Sequence, residues 1–212
     1  MDELVLGIDE AGRGCIIGPL FIAGFLISET DFLIDKLNSL GVNDSKLLLP
    51  KKRDELAREI KKISCGYKIL KIQPNALDKF SINDLEIQYS AKLVSIFSPN
   101  RVYMDVPASG SGIKRYCGSV ASLCSASVKM IGANKMDSTN VLVASASILA
   151  KSEREKHIKI LKKKYGDFGS GYSSDPKTIV WLKQWKKKHV EWPSIVRRKW
   201  STLNKLQISN PK

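Results

Sequence analysis

Leu4-Val5-Leu6-Gly7-Ile8 is an unbroken apolar run that stops at two adjacent carboxylates, Asp9 and Glu10, and then turns through Gly12-Arg13-Gly14. Ionised carboxylates are costly to bury unless paired or metal-bound, so a strand that ends in Asp-Glu has brought them to a rim that solvent reaches. The pattern recurs. Val102-Tyr103-Met104 finishes in Asp105, and Lys135-Met136-Asp137 sets a further acid just ahead of the apolar stretch Val141–Ala150. Singly, each is also what an ordinary acidic turn at a strand end looks like. In an α/β sheet, however, strand ends at one edge and helix starts converge, so Asp9, Glu10, Asp105 and Asp137 can meet although they are far apart in sequence.

Four gathered carboxylates repel one another and raise their pKa values, a strain that a divalent cation removes, and hard oxygen donors select magnesium or manganese. The donor set does not choose between those two ions. A pair of them can activate a water, hold a phosphate for in-line attack and stabilise the leaving 3′ oxygen, so the acids together predict a two-metal nuclease site. Gly12 and Gly14 allow backbone N–H groups close approach to an anion or a sugar, and Arg13 adds charge. With Gly18 the spacing is G-x-G-x-x-x-G, and an acidic pair stands where a pyrophosphate would approach, which excludes a dinucleotide fingerprint.

Charge narrows the partner. The 212 residues carry a net +14, but residues 1–150 hold 18 Lys and Arg against 16 Asp and Glu, whereas residues 151–212 hold 17 against 5. Such a basic C-terminal part suits a polyanion, since neutralising phosphates releases counterions. Lys162-Lys163-Lys164 or Lys186-Lys187-Lys188 taken alone reads equally well as a solvated helix face. A hydrophobic content of 43% is enough for a proper core. The longest apolar stretch, Ile16–Ile27, is twelve residues and contains Gly18, Pro19 and Gly24, so no membrane span is expected. Met1-Asp2-Glu3 is acidic where a signal peptide would be basic. Cys15, Cys65, Cys117 and Cys124 form no C-x-x-C pair and lie far from His157 and His189, which argues against zinc and for reduced thiols in a cytoplasmic protein.

Strands are predicted over Leu4–Asp9, Leu20–Ile27, Gly66–Ile72, Val102–Asp105 and Ser125–Met130. Helices are predicted over Lys51–Ile63, with Pro50 in the first turn, over Ile82–Phe97, capped by Ser81 with a Leu85, Tyr89, Leu93 and Ile96 stripe, and over Val141–Tyr165. Trp181 and Trp185 recur at helical spacing among lysines, where they either pack or stack on bases. The pattern is α/β, strands first, with a helical C-terminal region. Asp167 and Asp175 read as loop acids, and Glu153 and Glu155 as intrahelical charge partners.

Gly7-Ile8-Asp9-Glu10-Ala11-Gly12-Arg13-Gly14, Asp44-Ser45-Lys46 with Pro50-Lys51-Lys52-Arg53, the isolated Asp105, Val143–Lys151 and Gly169–Thr178 resemble, in that order, ribonuclease HII, and its archaeal branch more than its bacterial one. The resemblance covers residues 4 to about 202. It implies an RNase H-like fold, a mixed central sheet flanked by helices, with residues 1–165 as the catalytic domain and 166–212 as a basic helical region that helps to bind substrate. It implies an endonuclease that hydrolyses the RNA strand of RNA–DNA hybrids and cuts 5′ of single ribonucleotides in duplex DNA, leaving 3′-hydroxyl and 5′-phosphate ends, in ribonucleotide excision repair and DNA replication. Asp9, Glu10, Asp105 and Asp137 would bind two Mg2+ or Mn2+ ions. Gly12, Arg13 and Gly14 would read the 2′-hydroxyl, the group that separates RNA from DNA. Tyr172 would stack on the neighbouring sugar, and Ser45 and Lys46 would position phosphates.

A monomer is expected, and Leu203–Lys212 reads either as a disordered tail, the default for a polar terminus, or as a docking peptide for a sliding clamp. The chain departs from the family pattern at Cys15, where proline is common, at Leu47, where a second lysine is usual, and at Ser173, where proline often follows the tyrosine. Cys15 would leave a thiol beside the site, open to oxidation. Two other readings stand beside the hybrid-specific endonuclease: a nuclease of the same fold acting on DNA structures, and a silent binder of hybrid or RNA.

Overall fold

The computed structural model describes residues 3–42 and 49–206. The chain divides into two compact units. The first comprises residues 1–11, 21–70 and 86–153, and the second comprises residues 12–20, 71–85 and 154–212.

The first unit is built on a sheet of β1 (Leu4–Ala11), β2 (Leu20–Ser28), β3 (Gly66–Ile72), β4 (Arg101–Asp105) and β5 (Lys129–Ala133), in the order β3-β2-β1-β4-β5. β1 pairs antiparallel with β2, from Leu4 opposite Ser28 to Ala11 opposite Phe21, and parallel with β4, whose other neighbour β5 is also parallel. The sheet is therefore mixed, as expected. β1 is central, and Val5, Leu6 and Ile8 are buried on both faces, which is why its sequence runs apolar without alternating. The period of two survives in what each residue touches. Val5, Ala11, Phe21, Ala23, Phe25 and Ile27 join one core with helices α1 (Asp31–Ser39), α2 (Pro50–Ile63) and the start of the long helix Val141–Tyr165.

Pro50 does occupy the first turn of α2, and Leu56 and Ile60 are buried. The short helix α3 (Pro74–Leu77) and helix α4 (Ile82–Phe97) precede β4, and α5 (Ser111–Ser122) lies between β4 and β5. The predicted stripe of α4 holds at Leu85 and Leu93, but Ile96 is exposed and Glu86, Ser90 and Val94 are buried instead. The fifth strand begins four residues later than its sequence suggests. Its placement comes from pairing Arg101–Asp105 with Lys129–Ala133 and from Gly132, where a Cβ would meet Cys117 Sγ at 2.5 Å and Val106 Cγ2 at 2.7 Å. Close packing, not β propensity, selects that segment. α6 (Val141–Tyr165) follows, and Leu142–Ala150 is buried throughout.

The second unit has its own core of Ile16, Ile17, Ile158, Phe168, Leu182, Ile195 and Val196, with α7 (Pro176–Lys188) and α8 (Ser201–Lys205). Trp181 and Trp185 pack here: their rings lie 5.2 Å apart, and their indole N–H groups donate to the carbonyls of Tyr165 and Glu191. Among the described residues no helix is long and apolar enough to cross a membrane.

Candidate active site

Parallel register brings the acids together. β1 and β4 are in step through Ile8 opposite Met104, so the next residues, Asp9 and Asp105, come level at the same strand ends. Both also share a face. Asp9 follows Val5 at even spacing, and Asp105 follows Tyr103, and Val5 and Tyr103 contribute to the same core. One carboxylate oxygen from each of Asp9, Glu10 and Asp105 lies within 4.8 Å of the others. Asp9 is only 5% exposed. Its Oδ1 accepts the Glu10 N–H at 2.7 Å. Asp105 Oδ1 accepts the Met136 N–H at 2.7 Å, which ties β4 to the 3-10 turn Met136–Ser138.

Asp137 sits in that turn, buried, with Lys151 Nζ 3.7 Å from its Oδ2. It is outside the group of three carboxylates that lie within 4.8 Å, although its neighbour Met136 anchors one of them. In the sequence Lys151 stands out only as the end of the Val143–Lys151 motif.

Burial pushes the Asp9 carboxyl well above the usual carboxylate range, and the charges of Glu10 and Asp105 push it further. The buried Ser147 hydroxyl and the Glu10 N–H pull the other way. The cluster gathers hard oxygen donors whose charges repel one another, so its chemistry fits a divalent cation of the magnesium or manganese type.

One residue, Ala11, separates Glu10 from Gly12, where the second unit begins. Gly12 takes φ +95°, and a Cβ there would lie 3.0 Å from Arg154 Cδ and Nε, so the position needs glycine. The Gly12 carbonyl accepts the Cys15 N–H at 3.3 Å, closing a tight turn through Arg13 and Gly14. Arg13 Nη2 donates to Asn83 Oδ1 at 2.5 Å.

Tyr172 lies beside this turn. Its backbone bridges to Cys15, its ring faces the position of Gly14 from about 4 Å, and Arg154 covers one side of the ring at 4.8 Å. It remains 38% exposed. Asp175, read as a loop acid, orders the approach to Tyr172 by accepting the Ser170 N–H at 2.6 Å and capping α7 through the Lys177 N–H. Ser45 and Lys46 lie outside the described residues.

Arg197 is the residue that sequence reasoning missed. It counted there only toward the basic surface, yet it is fully buried and donates to the carbonyls of Gly18 (2.9 Å), Arg13 (2.9 Å) and Gly12 (2.7 Å). Arg154 is likewise buried and donates to Ser170 O at 2.7 Å and Cys15 Sγ at 2.9 Å. Cys15 is itself fully buried, and burial pushes its thiol up despite Arg154 and Arg197. The expected oxidation-sensitive thiol is therefore shielded. Brief treatment of the native protein with iodoacetamide is expected to label Cys65, the exposed thiol, and to leave cleavage unchanged; parallel loss of activity and labelling of Cys15 would refute this.

Carboxylates clustered at the ends of a central strand and its parallel neighbour, in a mixed sheet flanked by helices, define a nuclease of the RNase H-like fold. A model of ribonuclease HII matches residues 6–203, and the chain belongs to that family. It is accordingly an endonuclease of the ribonuclease H type. The ribonuclease HII of Pyrococcus furiosus is 42% identical over 207 residues, 96% of this chain and 91% of that protein. The crystal structure of ribonuclease H2 from Pyrococcus horikoshii superposes with a TM-score of 0.88 at 36% identity, covering 95% of this chain and 96% of that one. The ribonuclease HII in the PCNA:RNase HII complex from Archaeoglobus fulgidus gives 0.87 at 40% identity, covering 97% and 98%.

Proposed function

We propose that this protein hydrolyses the RNA strand of RNA–DNA hybrids and cuts on the 5′ side of a single ribonucleotide in duplex DNA, leaving 3′-hydroxyl and 5′-phosphate ends. The observation that carries the reading is the set of three carboxylates within 4.8 Å around the buried Asp9. Asp9, Glu10 and Asp105 hold the divalent cations, with Asp137 as a further ligand supported by its burial and its place beside the Met136 anchor. Two bound cations would supply an activated water and stabilise the leaving 3′ oxygen.

The chain's own groups select the substrate. Gly14 is exposed, and the turn offers backbone N–H donors to a ribose 2′-hydroxyl. Tyr172, with one side of its ring against Arg154, presents the rest to the adjacent deoxyribose. The lysines of α7 and of the end of α6 draw in the phosphates, as do Ser45 and Lys46. Unpaired cysteines suit a cytoplasmic enzyme of replication and ribonucleotide excision repair. That an Archaeoglobus relative was solved with PCNA supports a sliding-clamp contact here through the tail, of which residues 207–212 lie outside the described residues.

The test is cleavage of a labelled duplex carrying one ribonucleotide beside an all-DNA control, with Mg2+ or Mn2+. Cutting of the ribonucleotide strand alone is expected; equal cutting of both duplexes would favour a DNA nuclease, and binding without cutting a silent binder. Tyr172→Ala is expected to slow cleavage at the single ribonucleotide by about tenfold, the scale of one lost stacking contact. Its effect on a long hybrid should be smaller, since the adjacent sugar there is not deoxyribose. Equal slowing of both substrates would remove Tyr172 from junction recognition.

A further inference from the structure

Arg197 is the largest fully buried side chain among the described residues, and each of its three guanidinium nitrogens donates to a backbone carbonyl of the Gly12–Gly18 segment. A buried cation is expensive unless hydrogen-bonded on all its donors, so a fold that needed only to join two segments would use an apolar contact. The geometry assigns Arg197 a positioning role: by gripping the carbonyls of Gly12 and Arg13 it aims the N–H groups of Arg13 and Gly14 at the substrate's 2′-hydroxyl. This rests on the proposed reading of the Gly12–Gly14 turn as the ribose reader.

The step follows from the planarity of the peptide. In a trans unit the C=O and the next N–H point in opposite directions. No cis peptide bond occurs among the described residues. The Gly12 carbonyl directed at Arg197 Nη2 therefore turns the Arg13 N–H away from the guanidinium, and the Arg13 carbonyl directed at Nη1 does the same for the Gly14 N–H.

Three further contacts hold the clamp in register. Arg197 N–H donates to Ile16 O at 2.9 Å, Ile17 bridges to Val196, and Trp200 lies 4.8 Å from the guanidinium. Burial pulls the Arg197 pKa down to about 10, so the guanidinium stays charged at neutral pH. A planar fork can serve carbonyls in different directions at once, which an ammonium on a single stem cannot. Arg197 touches neither the carboxylates nor the reacting phosphate in this scheme; it acts through the turn.

The experiment compares binding of a duplex containing one ribonucleotide with its all-deoxy counterpart, in EDTA so that nothing is cut, for wild type, Arg197→Lys and Arg197→Gln. The wild type should prefer the ribonucleotide duplex. Arg197→Gln should lose that preference by on the order of tenfold, the value of two well-aimed hydrogen bonds, and Arg197→Lys should lose part of it. The rise in Tm on adding Mn2+ should match wild type in both variants, because the acids are untouched. Folded variants that keep the full preference would overturn the role.

Should the variants not fold, solvent exchange of the Gly14 amide in the wild type decides. It should exchange freely in the free protein and slow only with the ribonucleotide duplex. Slow exchange already in the free protein would mean that it points inward, against the proposal. A wild type with no ribonucleotide preference would instead bring down the turn's reading as ribose reader.

Discussion

Asp105→Asn is expected to reduce cleavage by at least about 10³-fold while leaving the protein folded, since metal-borne charge stabilisation is worth several kcal/mol and each ~1.4 kcal/mol is tenfold in rate. The substitution is clean because asparagine keeps the side-chain oxygen that accepts the Met136 N–H at 2.7 Å, so the link between β4 and the 3-10 turn survives. What is lost is one negative charge from a cluster whose oxygens lie within 4.8 Å. That charge helps to push the Asp9 carboxyl up, so the metal-free variant should melt no lower than wild type. Its stabilisation by Mn2+ should shrink markedly, because stabilisation by a ligand follows affinity for the folded state. Two measurements check this: initial rates on the single-ribonucleotide duplex, and Tm with and without Mn2+. Wild-type rates in the variant would remove Asp105 from the site.

Gly7→Ala is expected to have the largest effect on stability of any single methyl added to the sheet. A Cβ at Gly7 would stand 2.4 Å from both the carbonyl carbon and the oxygen of Leu142, and backbone atoms cannot step aside as a side-chain end can. β1 and α6 would have to separate. Overpacking of this kind costs about 3 kcal/mol, which for a protein of this size lowers Tm by roughly 6–12 °C. The consequence reaches the acids, because α6 carries Ser147 beside Asp9 and Lys151 beside Asp137. Thermal denaturation of the metal-free protein is the measurement, and a fall of less than about 2 °C would show that the helix has slack over the strand.

Elements whose sequence carries its own period were readable from the sequence. β3 has the predicted limits, as do α4 and α6, and α2 runs to Ile63 with Pro50 in its first turn as predicted. Asp9, Glu10 and Asp105 were legible as a group because an acid closing an apolar strand is a local pattern. The structure brings them together through parallel register. α5 was not legible: half of its twelve residues are Ser, Gly or Cys, and only Cys117 and Val120 of it are buried. The start of β5 was misplaced because its pairing partner and the space at Gly132, not its own residues, select it. Ile96 was assigned to the buried face of α4 because hydrophobicity alone cannot tell which of two adjoining stripes meets a neighbour.

What the sequence by itself determined is the chemistry on offer: strands that end in carboxylates, a glycine-flanked arginine, a basic C-terminal part and the order of motifs that places the chain in its family. What only the tertiary structure decided is which charges face water. Arg154 and Arg197 carry the same formal charge as the lysines around them, yet both are buried and hold the turn at Gly12–Gly18 and the approach to Tyr172. The physical reason lies in where their partners come from. A lysine on a helix is solvated by default, but a buried guanidinium is stable only where several carbonyls converge, and for Arg197 the nearest of these belongs to a residue 185 positions away.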